Sequence, residues 1–150
     1  MKASFEHAPD FSLPSIEGEF RLRDYNGRNR IALLFAAHEE TGRAALGQVE
    51  RGREEWQERD LLLVLVVGAD SELLALGREP ENVRILKDED GEVGRTFEVE
   101  EGRGGFFLLG KSGFPVALCA EEMPEDGELF ALIDAMPMRK QEMWAQRGES

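Results

Sequence analysis

Few residues in this chain combine a reactive side chain with a setting that would activate it. Cys119 is the only cysteine. A thiol attacks as its thiolate, and a helix N-terminus favours that form through unpaired N–H groups and the helix dipole. A helix start of that kind falls in the run Leu33-Leu34-Phe35-Ala36-Ala37-His38-Glu39-Glu40-Thr41-Gly42-Arg43-Ala44, where an apolar strand gives way to a loop and a helix. No sulfur is present there. Thr41 has two readings: a hydroxyl that meets a small ligand, or an N-cap worth about 0.5–2 kcal/mol. A cysteine placed at position 44 is expected to be acidified by the helix start, below the reference value of about 8.5.

The remaining candidates are scattered. Cys119 lies in an apolar strand without a nearby His or Lys, and Glu121 and Glu122 follow it. It reads either as a small hydrophobe or as a displaced redox thiol. A single cysteine excludes an intrachain disulfide. His7 and His38 stand alone, and the consecutive residues His38-Glu39-Glu40 do not converge on one face, so no metal is expected. Asp88-Glu89-Asp90-Gly91 lacks the twelve-residue ligand series of a calcium loop and reads as a turn. Gly102-Arg103-Gly104-Gly105 precedes a strand rather than a helix, the wrong context for a phosphate loop. No cofactor is expected. Arg103 either reaches the helix start and holds an anion or hydroxyl ligand, or is a solvated loop arginine. Arg43 adds positive charge to the same helix start.

These residues depend on a regular alternation of elements. Ala8 to Pro14 is held extended by its prolines, and Phe20-Arg21-Leu22-Arg23 suits an edge strand or hairpin arm. Asp24 to Arg28 is a turn. Ile31 to Ala37 is a buried strand. A helix follows from about Thr41 to Arg59, with Leu46, Val49 and Trp56 on one stripe. Leu61 to Val67 shows no alternation and must be covered on both faces. Ser71 caps a short helix through Leu76. Val83 to Leu86 is a strand, and Glu92 to Phe97 a short helix. Phe106 to Leu109 pairs with Phe114 to Ala120 as a hairpin, with Pro115 at an edge or strand start. A helix from about Asp126 presents Leu129, Phe130, Leu132, Ile133 and Met136 and ends or kinks at Pro137. Helices that alternate with buried strands imply parallel pairing. The expected fold class is α/β, with a mostly parallel central sheet flanked by helices and a C-terminal antiparallel hairpin and helix. One domain spans 1–137, and 138–150 is a helical or frayed tail.

The chain has 150 residues, 41% of them hydrophobic, enough for one packed core. Its formal net charge is -13. That opposes binding to nucleic acid, which needs clustered Lys and Arg, and docking on an anionic membrane. The longest apolar run falls well short of the roughly 20 residues that span a bilayer. Met1 to His7 has no apolar signal region. A cytoplasmic location is expected.

Several segments resemble the peroxiredoxins, the alkyl hydroperoxide reductase and thiol-specific antioxidant family of the thioredoxin-like superfamily. They are Ala8-Pro9-Asp10-Phe11-Ser12-Leu13-Pro14, Leu65-Val66-Val67-Gly68-Ala69-Asp70-Ser71, Leu86 to Val93, and Arg103-Gly104-Gly105-Phe106-Phe107-Leu108. The resemblance runs from about Ala8 to Met136 and implies a thioredoxin-like fold. In that family a proline, three residues, a threonine or serine and two residues precede the peroxidatic cysteine. Mapped onto this chain, the proline position is Ala37, the threonine is Thr41 and the nucleophile position is Ala44. Arg103 matches the arginine that helps hold the thiolate and polarise the peroxide. The Cys-x-x-Cys pair of the thioredoxins is absent from this helix start as well.

Two functions follow from the resemblance and its gaps. One is a redox-inactive, peroxiredoxin-like domain that acts by binding or assembly, with Ala37, Thr41, Ala44 and Arg103 as a vestigial pocket. The other is an antioxidant oxidoreductase that works through Cys119 or a partner's thiol. In the tail, Met136, Met138, Met143 and Trp144 either form a homodimer contact or fold back onto the domain.

Overall fold

The apolar runs become the strands of one sheet, and their lack of alternation is explained by cover on both faces. The computed structural model describes residues 4–146. Strands β1 (Ser12–Ser15), β2 (Gly18–Arg21), β3 (Arg30–Phe35), β4 (Leu61–Val67), β5 (Val83–Lys87), β6 (Gly105–Leu109) and β7 (Val116–Ala120) form a sheet in the order β2-β1-β5-β4-β3-β6-β7. The centre is parallel, β3 with β4 and β4 with β5. Both flanks are antiparallel, so the sheet as a whole is mixed. Successive side chains of a strand point to opposite faces. Ala32, Leu34, Leu63, Leu65, Phe106 and Leu108 therefore pack on one side, against Ala45, Val49, Trp56, Leu129 and Ile133. Ile31, Leu33, Phe35, Val64, Val66 and Phe107 pack on the other, against Phe11, Phe20, Leu22 and Phe97.

The helices are α1 (Glu39–Arg51), α2 (Arg53–Glu58), α3 (Glu92–Thr96), α4 (Asp126–Asp134) and α5 (Pro137–Gln146). The single helix expected over 41–59 is two helices, divided at Gly52. It also begins earlier than expected, and Thr41 is not its N-cap. His38 takes that place with extended backbone (φ −135°, ψ 152°) and no side-chain cap bond. The Thr41 N–H already donates to the His38 carbonyl at 3.1 Å, inside the first turn. Glu39 and Glu40 open the helix, where the dipole favours negative charge.

The N-terminal stretch differs from the sequence reading in one more way. Ser12–Ser15 pairs with Gly18–Arg21 as a tight hairpin, and Leu22–Tyr25 forms a 3-10 turn. Pro115 stands just before β7, an edge strand. The segment after α4 is also ordered into an element. Pro137 is the first residue of α5, a position where the missing proline N–H has no helical partner to lose. Among the described residues no helix is long and apolar enough to cross a membrane.

Candidate functional site

A cleft lies where the parallel strands end. In open α/β sheets the crevice outside the carboxyl ends of the strands is the usual ligand site. Here a cleft of about 820 Å³ opens above the ends of β3 and β4. Its floor comprises Phe35, Ala36, Ala37, Val66, Val67 and Gly68. One wall is the turn Asp88 to Gly91 together with Arg95 of α3, and the other runs from Glu98 through Gly102 to Gly104.

Local sequence explains how these walls stand. Asp88 is buried, and its carboxylate accepts hydrogen bonds from the N–H groups of Val93 (3.3 Å) and Gly94 (2.9 Å), which fixes the start of α3. Gly91 enters that helix with φ +69°, a left-handed conformation that glycine adopts without steric cost. Arg95 donates to the Asp90 carbonyl at 2.9 Å. Glu98 accepts hydrogen bonds from Ser4. Asp88, Glu89, Asp90, Glu98, Glu100 and Glu101 face the cleft, with Arg95 as the sole basic residue in its lining among the described residues. Among the described residues no three His, Cys, Asp or Glu side chains are grouped to hold a metal ion.

Of the four residues read as a vestigial pocket, the cleft takes only Ala37. Thr41 is half-buried in the first turn of α1, and Ala44 is exposed one turn further on. Arg103 is 72% exposed and pairs with Glu100 at 3.2 Å. Glu39 carries a buried carboxylate oxygen, Oε2, without a hydrogen-bond partner. His7 and His38 are both exposed. Cys119 sits on β7 opposite Phe107, half-buried, and burial pushes its thiol up, with Glu98 acting in the same direction. Sequence reasoning missed Val99 and the carboxylates of residues 98–101. Their signal was the acidic run around the turn and the loop, which by itself looks like solvated surface.

The family model described as a domain of unknown function, DUF4174, matches residues 21–142. The chain belongs to the DUF4174 family. No curated protein matches it by sequence. Solved structures do match this DUF4174 chain. The 2-Cys peroxiredoxin of Plasmodium vivax, in its reduced form, aligns with TM-score 0.70 and 18% identity over 90% of this chain and 96% of its own. A protein of Chlorobium tepidum described as a thiol:disulfide interchange protein DsbE aligns with TM-score 0.66 and 23% identity over 97% and 96%. Peroxiredoxin Q of Xanthomonas campestris aligns with TM-score 0.66 and 17% identity over 94% and 99%. At these identities the likeness is one of fold, and the fold is thioredoxin-like. The DUF4174 match ends at Glu142, within α5.

Proposed function

We propose that this chain is a peroxiredoxin-like domain without sulfur chemistry at its helix start, and that it acts by binding or assembly. The observation that carries this reading is the place of its one thiol. Cys119 stands on the edge strand β7, and burial raises its pKa. The first turn of α1 offers Glu39, Glu40, Thr41 and Gly42 in place of a nucleophile. Carboxylates at a helix start disfavour a neighbouring thiolate, and an alanine methyl cannot attack an O–O bond. The peroxiredoxin and interchange-protein folds among the structural neighbours support the scaffold, and the residues of this chain argue against the chemistry.

Assembly is part of the reading. A second copy of the chain docks through α5, whose solvent side is largely uncharged. A reducing, cytoplasmic compartment suits a chain with one cysteine.

The test is direct. Hydrogen peroxide and an organic hydroperoxide are supplied with dithiothreitol as reductant, and insulin reduction is followed in parallel. No turnover above the uncatalysed rate is expected. Robust peroxide turnover that persists in Cys119→Ser would overturn the reading.

A further inference from the structure

The cleft at the ends of β3 and β4 has two kinds of surface, and together they select one kind of ligand. Its floor is carbon, from the half-buried Ala36 and Ala37 with Val99 beside them, over the core residues Phe35 and Val66. Its rim is anionic. Arg95, the one basic residue among the described residues of the lining, turns to a backbone carbonyl rather than to a carboxylate. Glu100 is matched by the exposed Arg103. Glu89 and Glu101 face the cleft and form no ion pair among the described residues.

We propose that this cleft binds a ligand bearing an ammonium or guanidinium group on an apolar stem. The proposal rests on the reading of the chain as a binding domain and names the chemistry that it binds. The stem lies along Ala36, Ala37 and Val99, and the cationic head meets Glu89 and Glu101. A hard metal ion needs its oxygen ligands drawn together around one point. The carboxylates here line the walls of a cleft of about 820 Å³ without such convergence. That spacing suits a diffuse organic cation, and clefts of roughly 300–1,000 Å³ are the size that encloses small ligands. A free aliphatic amine and a lysyl side chain of a partner both present this chemistry.

The experiment titrates the full chain with cadaverine and, separately, with an acetylated Lys-Leu-Lys-Leu peptide, followed by amide chemical shifts. Saturable binding of at least one probe is expected, with shifts centred on the residues around Val66, Val99 and Glu101. Cadaverine alone would assign a free amine, and the peptide alone a lysyl side chain. Glutarate, of the same length and opposite charge, should not bind. The double variant Glu89→Gln/Glu101→Gln should weaken binding about fivefold. Val99→Ser should also weaken it, with the circular dichroism unchanged. Glu50→Gln/Glu54→Gln removes equal charge far from the cleft and should leave binding unaltered. Failure of both probes, or equal weakening by the two double variants, would overturn the proposal. Peroxide turnover is measured on the same samples. Its appearance would sink the redox-inactive reading, and the binding result would stand or fall separately.

Discussion

Gly104 rests on the carbonyl end of β3: a Cβ at this position would lie 2.6 Å from the Phe35 oxygen. The backbone there is left-handed as well, with φ +71°. Both facts demand glycine, because the obstacle is backbone and cannot swing aside. The contact holds the loop that carries Glu98 to Gly102 over the floor of the cleft. Gly104→Ala should therefore cost about 1–3 kcal/mol in urea unfolding, and should shift the amide signals of the cleft. Unchanged stability would mean that the loop does not lie against Phe35.

A second relationship predicts acid sensitivity. Arg30, 1% exposed, grips Glu142 with two hydrogen bonds of 3.1 and 3.2 Å, and Lys111 donates to the same carboxylate at 2.8 Å. Arg59 and Arg139 do the same for Asp134. Burial works against the charge of both carboxylates. The hydrogen bonds from Arg30 and Lys111 outweigh it at Glu142, those from Arg59 and Arg139 at Asp134, and both pKa values are lowered. A carboxylate whose folded pKa is depressed adds stability that is present above its unfolded pKa, about 4 for these side chains. That stability is lost as pH falls through the folded value. Thermal stability should thus be flat with respect to these groups near neutral pH and fall below about pH 4. Glu142→Gln should lower stability at pH 7 by about 2 kcal/mol, since it leaves the buried Arg30 poorly paired and Glu142 is itself partly exposed. It should also flatten the acid limb. An acid limb unchanged in the variant would remove Glu142 from this role.

The helix start makes a prediction about introduced chemistry. With α1 beginning at Glu39, Ala44 lies in the second turn, exposed, with Glu40 four residues before it on the same face. The dipole effect fades within the first turn, and a neighbouring carboxylate opposes a thiolate. Ala44→Cys should therefore titrate at or slightly above the reference value of about 8.5. This reverses the expectation drawn from sequence, which placed the helix start two residues later. Thiolate absorbance at 240 nm in Cys119→Ser/Ala44→Cys reads it. A clearly acidic thiol would mean that residue 44 lies at the electropositive end of the helix after all.

What was legible in the sequence was what local composition decides. Leu61–Val67 declared itself as a strand covered on both faces, because alternation vanishes when neither face meets water. Phe106 to Leu109 and the Asp88 to Gly91 turn were equally local. The start of α1 was misread because Thr41 is a good capping residue and His38 a poor one, while backbone geometry at His38 decided the matter. The pairing of Ser12–Ser15 with Gly18–Arg21 was hidden by prolines that signal only extension. Least legible were contacts between distant segments. Nothing near Arg30 or Arg59 announces that they would be buried, since their partners Glu142 and Asp134 come from the far end of the chain, and Arg139 is buried against the equally distant Glu58. The cleft was hidden for the same reason. Its floor and its two acidic walls are separated in sequence and meet only at the strand ends.

The last helix carries the prediction about assembly. One side of α5 is committed to its own domain through Arg139 and Glu142, with Met143 half-buried beside them. The helical period places Pro137, Met138, Gln141, Trp144 and Ala145 together on the opposite side, and all five are exposed. Met138 is 42% and Trp144 54% exposed, large apolar side chains on a protein of net charge -13. Trp is favoured at the centres of contacts and Met adapts to irregular ones. A two-fold contact between α5 helices would cover this face, and two-fold closure is the commonest oligomer symmetry. Removing the helix is a poor test, because Arg30 would lose its carboxylate and the fold with it. Met138→Ser/Trp144→Ser leaves the ionic side intact. Sedimentation at several concentrations should show a dimer for the unaltered chain and a monomer for the double variant, with the same far-ultraviolet circular dichroism. A chain that stays monomeric at high concentration would rule out self-association. A double variant that still dimerises would move the contact away from α5, with the edge strand β7 as the next surface to probe.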